Sequence, residues 1–210
     1  MDLESSPEFE LRHAATDRPV IVVVGERRLI AIDGVGGPGG ADHRLASEAL
    51  RTAGRALRQR LSTEHGITAR PAILETAWWM HPELPPDELP KAFEDRSSWH
   101  WQQMVEVPDG GTSEDVDAAI DETRREAGRE NPLLHVLTLT EGRAAQMLHI
   151  GGSASAAATL RALFDLLASS GLHPHGHIHE LRIADERDVP QGRARSILRV
   201  PVEDALPAAG

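Results

Sequence analysis

The 210-residue sequence lacks cysteine and tyrosine and contains only four tryptophans and three phenylalanines. Without cysteine, disulfide cross-links and thiolate chemistry are excluded, and a reducing compartment is the expected environment. No apolar run approaches the roughly 20 residues that a membrane-spanning helix needs. The first 18 residues are too acidic and too polar for a signal peptide. We therefore expect a cytoplasmic protein that does not insert into a membrane.

Positive charge is also scarce, because 22 lysines and arginines stand against 33 aspartates and glutamates, for a net charge of −11. The summed field of such a protein repels DNA, RNA and anionic lipid headgroups. Nucleic acids and membranes are therefore not expected as partners. The same field favours cationic small molecules near acidic clefts.

The first half of the chain predicts the order strand, helix, strand, strand. Residues 20–34 (VIVVVGERRLIAIDG) are apolar and β-branched on both sides of a Gly-Glu-Arg-Arg turn signal, which predicts a short strand and then a longer one. A single apolar stripe with helical spacing runs from 41 to 65. Two stretches, 71–80 (PAILETAWWM) and 97–108 (SSWHWQQMVEVP), alternate with the period of a strand and flank an acidic, proline-rich loop.

A separate helix is predicted over 112–128, with Thr112 or Ser113 as its N-cap. The same order of elements then returns as RAAQMLHIG (143–151, strand), Ser153–Ser170 (helix), GHIHELRIA (176–184, strand) and ARSILRVPV (194–202, strand). This repeated order suggests a duplication. We predict an α+β fold in which two half-sheets meet about a pseudo-twofold axis, with a cleft between them.

The predicted elements divide the chain into five parts. They are an N-terminal extension (1–19), a first module (20–108), a connecting helix (109–132), a second module (133–202) and a C-terminal tail (203–210). Together the two modules form one domain, since a chain of this length and 40% hydrophobic content can bury one good-sized core.

Nearly all of the large aromatic surface lies in one stretch of the chain. In a strand, Trp78 and Trp79 point to opposite faces, whereas Trp99 and Trp101 share one face. At least one tryptophan of the first pair can therefore meet the second pair. Indole rings bind flat aromatic ligands and diffuse cations, but they also fill cores. Their clustering favours a pocket, because a core would draw aromatic residues from every strand.

Glu180 lies in the middle of an otherwise apolar strand, where an unpaired carboxylate is costly to bury. It therefore needs a partner. One interpretation is an ion pair with Arg182 or Arg199. The other is a carboxylate at the base of an apolar pocket, available to a cation or a proton. The sequence leaves both open.

Two further patterns suggest sites but are better explained without them. Histidines alternate from His173 to His179, a spacing compatible with zinc in a strand. Because no other ligand pattern supports a metal and the stretch begins in a Pro/Gly turn, we favour a solvated histidine run and predict no metal site. Residues 34–39 (GVGGPG) match the dinucleotide motif formally. Its proline and the missing βαβ series favour a flexible connection instead, and no cofactor is predicted.

Six segments, in this order over roughly residues 20–202, carry a resemblance to a known family: LIAIDGVGGPGG, ETAWWM, WHWQQMVEVP, QMLHIGG, HIHELRIAD and RSILRVPV. They resemble the GyrI-like small-molecule-binding domain family, and more narrowly its stand-alone branch with a Trp-Trp motif. The resemblance implies duplicated strand-helix-strand-strand (SHS2) modules that form a pseudo-twofold antiparallel sheet with a central apolar ligand groove. Members bind bulky, lipophilic, often cationic compounds as regulator sensor domains or as sequestering proteins. A subset hydrolyses cyclopropane-bearing DNA-alkylating natural products.

Carried onto this chain, the resemblance makes Glu180 the pocket acid and Trp78 and Trp79 the Trp-Trp pair. The family's Gln-Met-Leu-His-Ile-Gly strand falls on residues 146–151 and includes His149.

Two departures from the family pattern concern the same region. Gly152-Ser153 stands where the family has Pro-Tyr, and Arg182 replaces a tyrosine that follows the pocket acid. Family chemistry that depends on a phenol lacks its residue here. Arg182 is also placed to neutralise Glu180 and so to weaken a preference for cations.

We therefore expect a multidrug-type binding protein that takes bulky, lipophilic, planar and cationic compounds, for sequestration or resistance. The predicted ligand-binding residues are Trp78, Trp79, Trp99 and Trp101 as aromatic walls, Met80, Met104 and Met147 as flexible filling, His149, and Glu180 at the base. The alternative is a hydrolase that opens a strained cyclopropane ring. In it Glu180, its pKa raised by burial, orients or deprotonates the attacking water. The oligomeric state is left open.

Overall fold

The computed structural model describes residues 13–128, 133–152, 155–184, 189 and 192–204. The described part of the chain contains seven strands and four helices, in the order β1 (Val20–Val35), α1 (Ala41–His65), β2 (Leu74–Trp79), α2 (Leu89–Ala92), β3 (His100–Glu106), α3 (Ser113–Ala127), β4 (His135–Ile150), α4 (Ala156–Ser170), β5 (Leu172–Pro174), β6 (Ile178–Ala184) and β7 (Arg195–Asp204). The fold is α+β, as predicted.

All strand pairings are antiparallel, and the sheet order is β4-β1-β3-β2-β6-β7-β5. Because β7 also pairs with β4, six strands (β4, β1, β3, β2, β6 and β7) close into a ring. Within the ring, β1-β3-β2 and β4-β7-β6 have the same internal order, and the pairings β1–β4 and β2–β6 join them. Alternate residues of each strand face the ring interior and its outer surface.

The two long strands correct the sequence prediction. β1 runs straight through residues 25–28, where the sequence predicts a turn, and β4 begins well before the predicted residue 143. The strands pair along their lengths, from Val20 opposite Gln146 to Ala31 opposite His135. Non-local pairing thus outweighs the local turn signal, as is common for strands.

The helices follow their local signals more closely. α1 spans the predicted 41–65 and ends at Gly66, whose positive φ of 66° suits glycine at this helix terminus. α3 begins after Thr112, which forms a capping box with Asp115, so that predicted cap is confirmed. α4 begins at Ala156, and the predicted start at Ser153 lies outside the described residues. The sequence prediction missed the short elements α2 and β5.

The main core lies between the outer surface of the ring and the helices α1, α3 and α4. Leu50, Leu57 and Leu61 of α1 and Leu160 and Leu163 of α4 are at most 1% exposed. Burial of each such side chain stabilises the fold by roughly 1.5–3 kcal/mol. A smaller apolar cluster lies inside the ring. None of the helices in the described part of the chain combines the length and apolar character that a membrane span requires.

The ends of β1 and β4 are built alike. Each strand has 16 residues and is followed by a glycine of positive φ, 115° at Gly36 and 125° at Gly151. The N–H of Gly36 donates to the Trp99 carbonyl at 2.8 Å, and that of Gly151 donates to the Ala194 carbonyl at 2.9 Å. Trp99 and Ala194 thus accept the same kind of hydrogen bond from the glycine that follows each long strand.

Candidate functional site

A cavity of about 260 Å³ lies on the outer surface of the ring. Its described lining comes from the start of α1 and the preceding loop (38–47), the two residues after β4 (151–152), β6 (180–184), and the start of β7 with the residue before it (194–196). Glu180 is the carboxylate among these residues. The cavity therefore contains the predicted pocket acid.

Glu180 is held by a buried cation and an indole. Its Oε2 accepts hydrogen bonds from Arg96 Nη1 at 2.8 Å and from Trp78 Nε1 at 3.1 Å. The Arg96 side chain is 1% exposed and lies over the rings of Trp78 and Phe93, at 4.2 and 4.0 Å from their centroids. Because both bonds use Oε2, Oε1 of Glu180 has no hydrogen bond from the described residues.

The protonation of Glu180 differs from the sequence expectation. Burial alone would raise its pKa, but the charges of Arg96 and Arg182 and the hydrogen bonds from Arg96 and Trp78 outweigh burial and lower the pKa below its ordinary value. The expectation of a raised pKa is therefore wrong. Of the two expected partners, Arg182 contributes its charge, whereas Arg199 lies 3.0 Å from Glu141 instead.

Three tryptophans pack beside the cavity but are not among its lining residues. Trp78 and Trp101 are cross-strand partners, and both, like Trp99, are 1% exposed. His43, which lines the cavity, stacks on Trp78 at 5.4 Å and lies edge-on to Trp101 at 5.3 Å. The prediction that one tryptophan of the first pair meets the second pair is confirmed, but these three indoles belong to the core.

Trp79 lies on the opposite face of β2, as the strand alternation predicts. Its ring stacks on His177 at 4.4 Å and on His100 at 5.8 Å. Burial, followed by the charges of His179 and His81, lowers the pKa of His177. The structure therefore separates Trp79 from Glu180.

The remaining predicted residues are not among the described lining residues, although His149 Nε2 lies 3.1 Å from the carbonyl oxygen of Gly152, which lines the cavity. Met80 and Met147 are partly buried against the main core, and Met104 is fully buried in the cluster inside the ring. His149 is 4% exposed, and its Nδ1 lies 2.9 Å from the Thr159 hydroxyl of α4. Of the predicted ligand-binding residues, Glu180 is the one that lines the cavity.

The lining residues that the sequence prediction missed include His43 and Ser47. Both lie on the buried side of α1, at the start of its apolar stripe. The Ser47 hydroxyl lies 2.8 Å from Gln103 Oε1 and 2.9 Å from the His43 carbonyl. A signal was present, because two polar residues occupy a stripe that is apolar farther along the helix. Arg96, in contrast, carries no such signal, since it lies within the irregular loop between α2 and β3.

A second charged cluster fills the ring interior. Arg27 contacts Glu75 at 2.7 Å and also Glu141, Arg199 contacts Glu141 at 3.0 Å, and His179 Nδ1 lies 2.6 Å from Glu75. Burial opposes ionisation of Glu75, but Arg27 and His179 lower its pKa well below the ordinary value. His179 is 4% exposed, which corrects its assignment to a solvated run.

Glu75, Glu141 and His179 could together supply three metal-ligand atoms. Two guanidinium groups already neutralise the two carboxylates, however, and a cation would have to displace them. We interpret the cluster as an ion-pair network that joins five strands.

The family model for the GyrI-like small molecule binding domain matches residues 18–203, which include the described cavity lining and all described strands except the last residue of β7. The chain belongs to this family. It therefore carries a small-molecule-binding domain. The narrower assignment to a stand-alone Trp-Trp branch stays a prediction.

Solved structures share the fold at low sequence identity. An uncharacterized conserved protein from Listeria innocua has a TM-score of 0.76 and 22% identity, and a hydrolase from Listeria innocua has a TM-score of 0.71 and 23% identity; each match covers 91% of this chain and 95% of the other. The EcmrR C-terminal domain has a TM-score of 0.58 and 12% identity, covering 90% and 98%. No curated protein matches the sequence. At identities this low, the structural similarity indicates a shared fold and nothing more.

Proposed function

We propose that this GyrI-like protein binds a bulky, planar, lipophilic small molecule in the cavity beside Glu180. The observation that carries the proposal is the unequal filling of the two halves of the ring. The first half is packed with indole rings, whereas the second half leaves the corresponding space open.

We also propose that the halves are copies of one strand-helix-strand-strand module. This is supported by the shared order β1-β3-β2 and β4-β7-β6. It is further supported by the matching hydrogen bonds of Gly36 and Gly151. A pseudo-twofold axis would then relate β1 to β4 and β2 to β6.

The correspondence of the halves accounts for the position of the cavity. If Trp99 corresponds to Ala194, then Trp101, two residues along β3, corresponds to Ser196 on β7. Ala194 and Ser196 line the cavity, whereas Trp99 and Trp101 fill the main core. Small side chains thus leave room in the second half where large ones close the first. The tryptophans shape the site from behind and hold Glu180 through Trp78.

The charges near the cavity bear on the ligand. Glu180 is already paired with Arg96 and lies in the field of Arg182. The described lining also includes Arg44 and Arg195. A cation would therefore meet three guanidinium groups and a carboxylate that is already neutralised. We propose that a neutral planar compound fits better than the cation that the family resemblance implies.

Filling the cavity tests this proposal. Ser196→Phe and Ala194→Leu place larger side chains in the space that the ligand would occupy, and Thr138→Phe adds the same ring at an exposed position of β4 as the control. Isothermal titration with a panel of planar neutral, cationic and anionic compounds should show binding to the wild type and the control, with neutral compounds preferred. The cavity-filling variants should not bind. Unchanged binding by both would refute this location.

Hydrolysis is the second candidate function. It is favoured by Oε1 of an ionised Glu180 at the cavity base, without a hydrogen bond from the described residues. The presence of a Listeria innocua hydrolase among the fold relatives also supports it. Because the Glu180 pKa is lowered, the carboxylate would orient a water molecule by accepting its hydrogen bond, rather than act as a strong base. The water oxygen would form a bond to one carbon of a strained cyclopropane while a C–C bond of the ring breaks. The electron pair of the broken bond would stay on the substrate, and the proton released by the water would neutralise that charge.

Turnover separates the two functions. A cyclopropane-bearing polycyclic compound should give a ring-opened product only if the protein is a hydrolase. Glu180→Gln should then stop product formation while titration still shows binding. Binding without product in the wild type would leave sequestration as the function, and undiminished turnover by Glu180→Gln would refute the role of the carboxylate.

A further inference from the structure

The first half of β1 has one edge that no described strand covers. β1 pairs with β4 from Val20 onward, but it pairs with β3 only from Leu29. Residues 20–24 are all apolar, and Val23 is 73% exposed. An uncovered apolar edge of this kind is a template for another strand.

The direction of the hydrogen-bonding groups along this edge follows from two observed bonds. Val107 N–H donates to the Arg28 carbonyl at 2.9 Å, and Gly36 N–H donates to the Trp99 carbonyl at 2.8 Å. Even-numbered residues of β1 therefore direct their backbone groups toward the β3 side. Every second residue of a strand points its backbone N–H and C=O to the same side. The backbone groups that point to the open edge are therefore those of Val20, Val22, Val24 and Glu26.

We propose that this edge binds β1 of a second copy of the protein, antiparallel, about a twofold axis at Val22. In this register Val22 of one copy faces Val22 of the other, and Val20 faces Val24. Each of these residues directs its N–H and C=O to the edge, so the register satisfies the ladder on both copies. In this register Ile21 of one copy would pack against Val23 of the other. These side chains are 38% and 73% exposed in the single chain.

Charge complementarity selects this register. With the axis at Val22, Arg18, in the bend just before β1, would lie near Glu26 of the other copy, and the twofold axis produces two such pairs. Both residues are exposed in this chain. Moving the axis to Val23 would place Glu26 against Val20 and lose both ion pairs. The proposal does not depend on the ligand cavity, since none of these residues lines it.

Sedimentation equilibrium and light scattering over a range of protein concentrations test the proposal. The wild type should be a dimer. Arg18→Glu or Glu26→Arg should raise the dimer dissociation constant about tenfold, because two attractive pairs become repulsive. The double variant Arg18→Glu/Glu26→Arg should restore the wild-type constant. Glu203→Arg, which reverses an exposed charge on β7, is the matched control and should leave the dimer unchanged.

Val22→Pro provides a second test. Proline removes an N–H that points away from β4, so it should abolish the dimer while circular dichroism shows the fold retained. A wild type that is monomeric at every attainable concentration would overturn the proposal. A dimer whose dissociation constant is unchanged by the charge reversals and by Val22→Pro would overturn it as well, because another surface would then form the interface.

Discussion

Replacing Arg96 with methionine removes the cation that neutralises Glu180 but keeps much of the apolar stem. The Arg96–Glu180 contact is 2.8 Å long, and the two side chains are 1% and 12% exposed. Removing one partner of a buried ion pair costs about 3–5 kcal/mol. We expect the lower end, about 3 kcal/mol at pH 7, because the charge of Arg182 and the Trp78 hydrogen bond remain near Glu180.

The loss should depend on pH in a defined direction. In the wild type, the lowered pKa of Glu180 means that its stabilising contribution is fully present above the ordinary value of 4.5 and is lost as the pH falls below it. In Arg96→Met, burial acts with less opposition and the pKa of Glu180 rises. The variant is therefore most destabilised at neutral pH, and the difference from the wild type shrinks in acid.

A double-mutant cycle measures this effect. Urea unfolding, followed by far-ultraviolet circular dichroism at pH 7 and pH 4, would give the free energies of the wild type, Arg96→Met, Glu180→Gln and the double variant. The double variant should recover about 1–3 kcal/mol of the loss. Arg55→Met, at an exposed position of α1, should change stability by no more than about 0.5 kcal/mol. Additive losses, or the same Arg96→Met loss at both pH values, would show that Arg96 does not act through the Glu180 charge.

Two further predictions concern packing and capping. Gly34→Ala should destabilise the protein by about 1–3 kcal/mol, because a Cβ there would lie 2.1 Å from the Trp101 ring. Gly25→Ala is the control, since a Cβ at Gly25 would have no atom within 4 Å. Equal urea midpoints for the two variants would contradict this reasoning. Thr112→Ala should cost about 1 kcal/mol in thermal unfolding. A carboxylate NMR titration should also show the pKa of Asp115 rising from about 2 toward 3.8. On acidification, the stability that the ionised Asp115 contributes would then be lost at a higher pH than in the wild type. An unmoved titration would exclude the Thr112 hydroxyl as the cause.

The sequence predicts those parts of the fold that depend on neighbouring residues. The stripe and flanking glycines of α1 and the capping box at Thr112 are local signals, and both helices begin as predicted. The turn predicted at 25–28 does not form, because the extended strand makes contacts with residues far along the chain, and these outweigh the local turn preference. Arg27 binds Glu75, 48 positions away. No local pattern reports such a contact.

The same distinction applies to the site. Glu180 is detectable from the sequence because a carboxylate in an apolar strand is a local anomaly. Arg96 is not detectable, since it lies 84 positions away in a loop. The aromatic clustering is real, but composition cannot separate a pocket wall from a core that supports it. Trp78 illustrates the difference, because it is buried and still hydrogen-bonds the pocket acid.

The ion-pair network inside the ring and the Glu180 site lie on opposite faces of β6, because His179 faces the ring interior and Glu180 faces the cavity. On β2, Glu75 likewise faces inward, and the adjacent Thr76 pairs in register with Glu180. A slip of one residue between β2 and β6 would exchange these faces and place the Glu180 charge inside the ring. The contacts of Glu75 with Arg27 and His179 oppose that slip, because it would leave buried charges unpaired. The interior network thus specifies the register that presents Glu180 to the cavity.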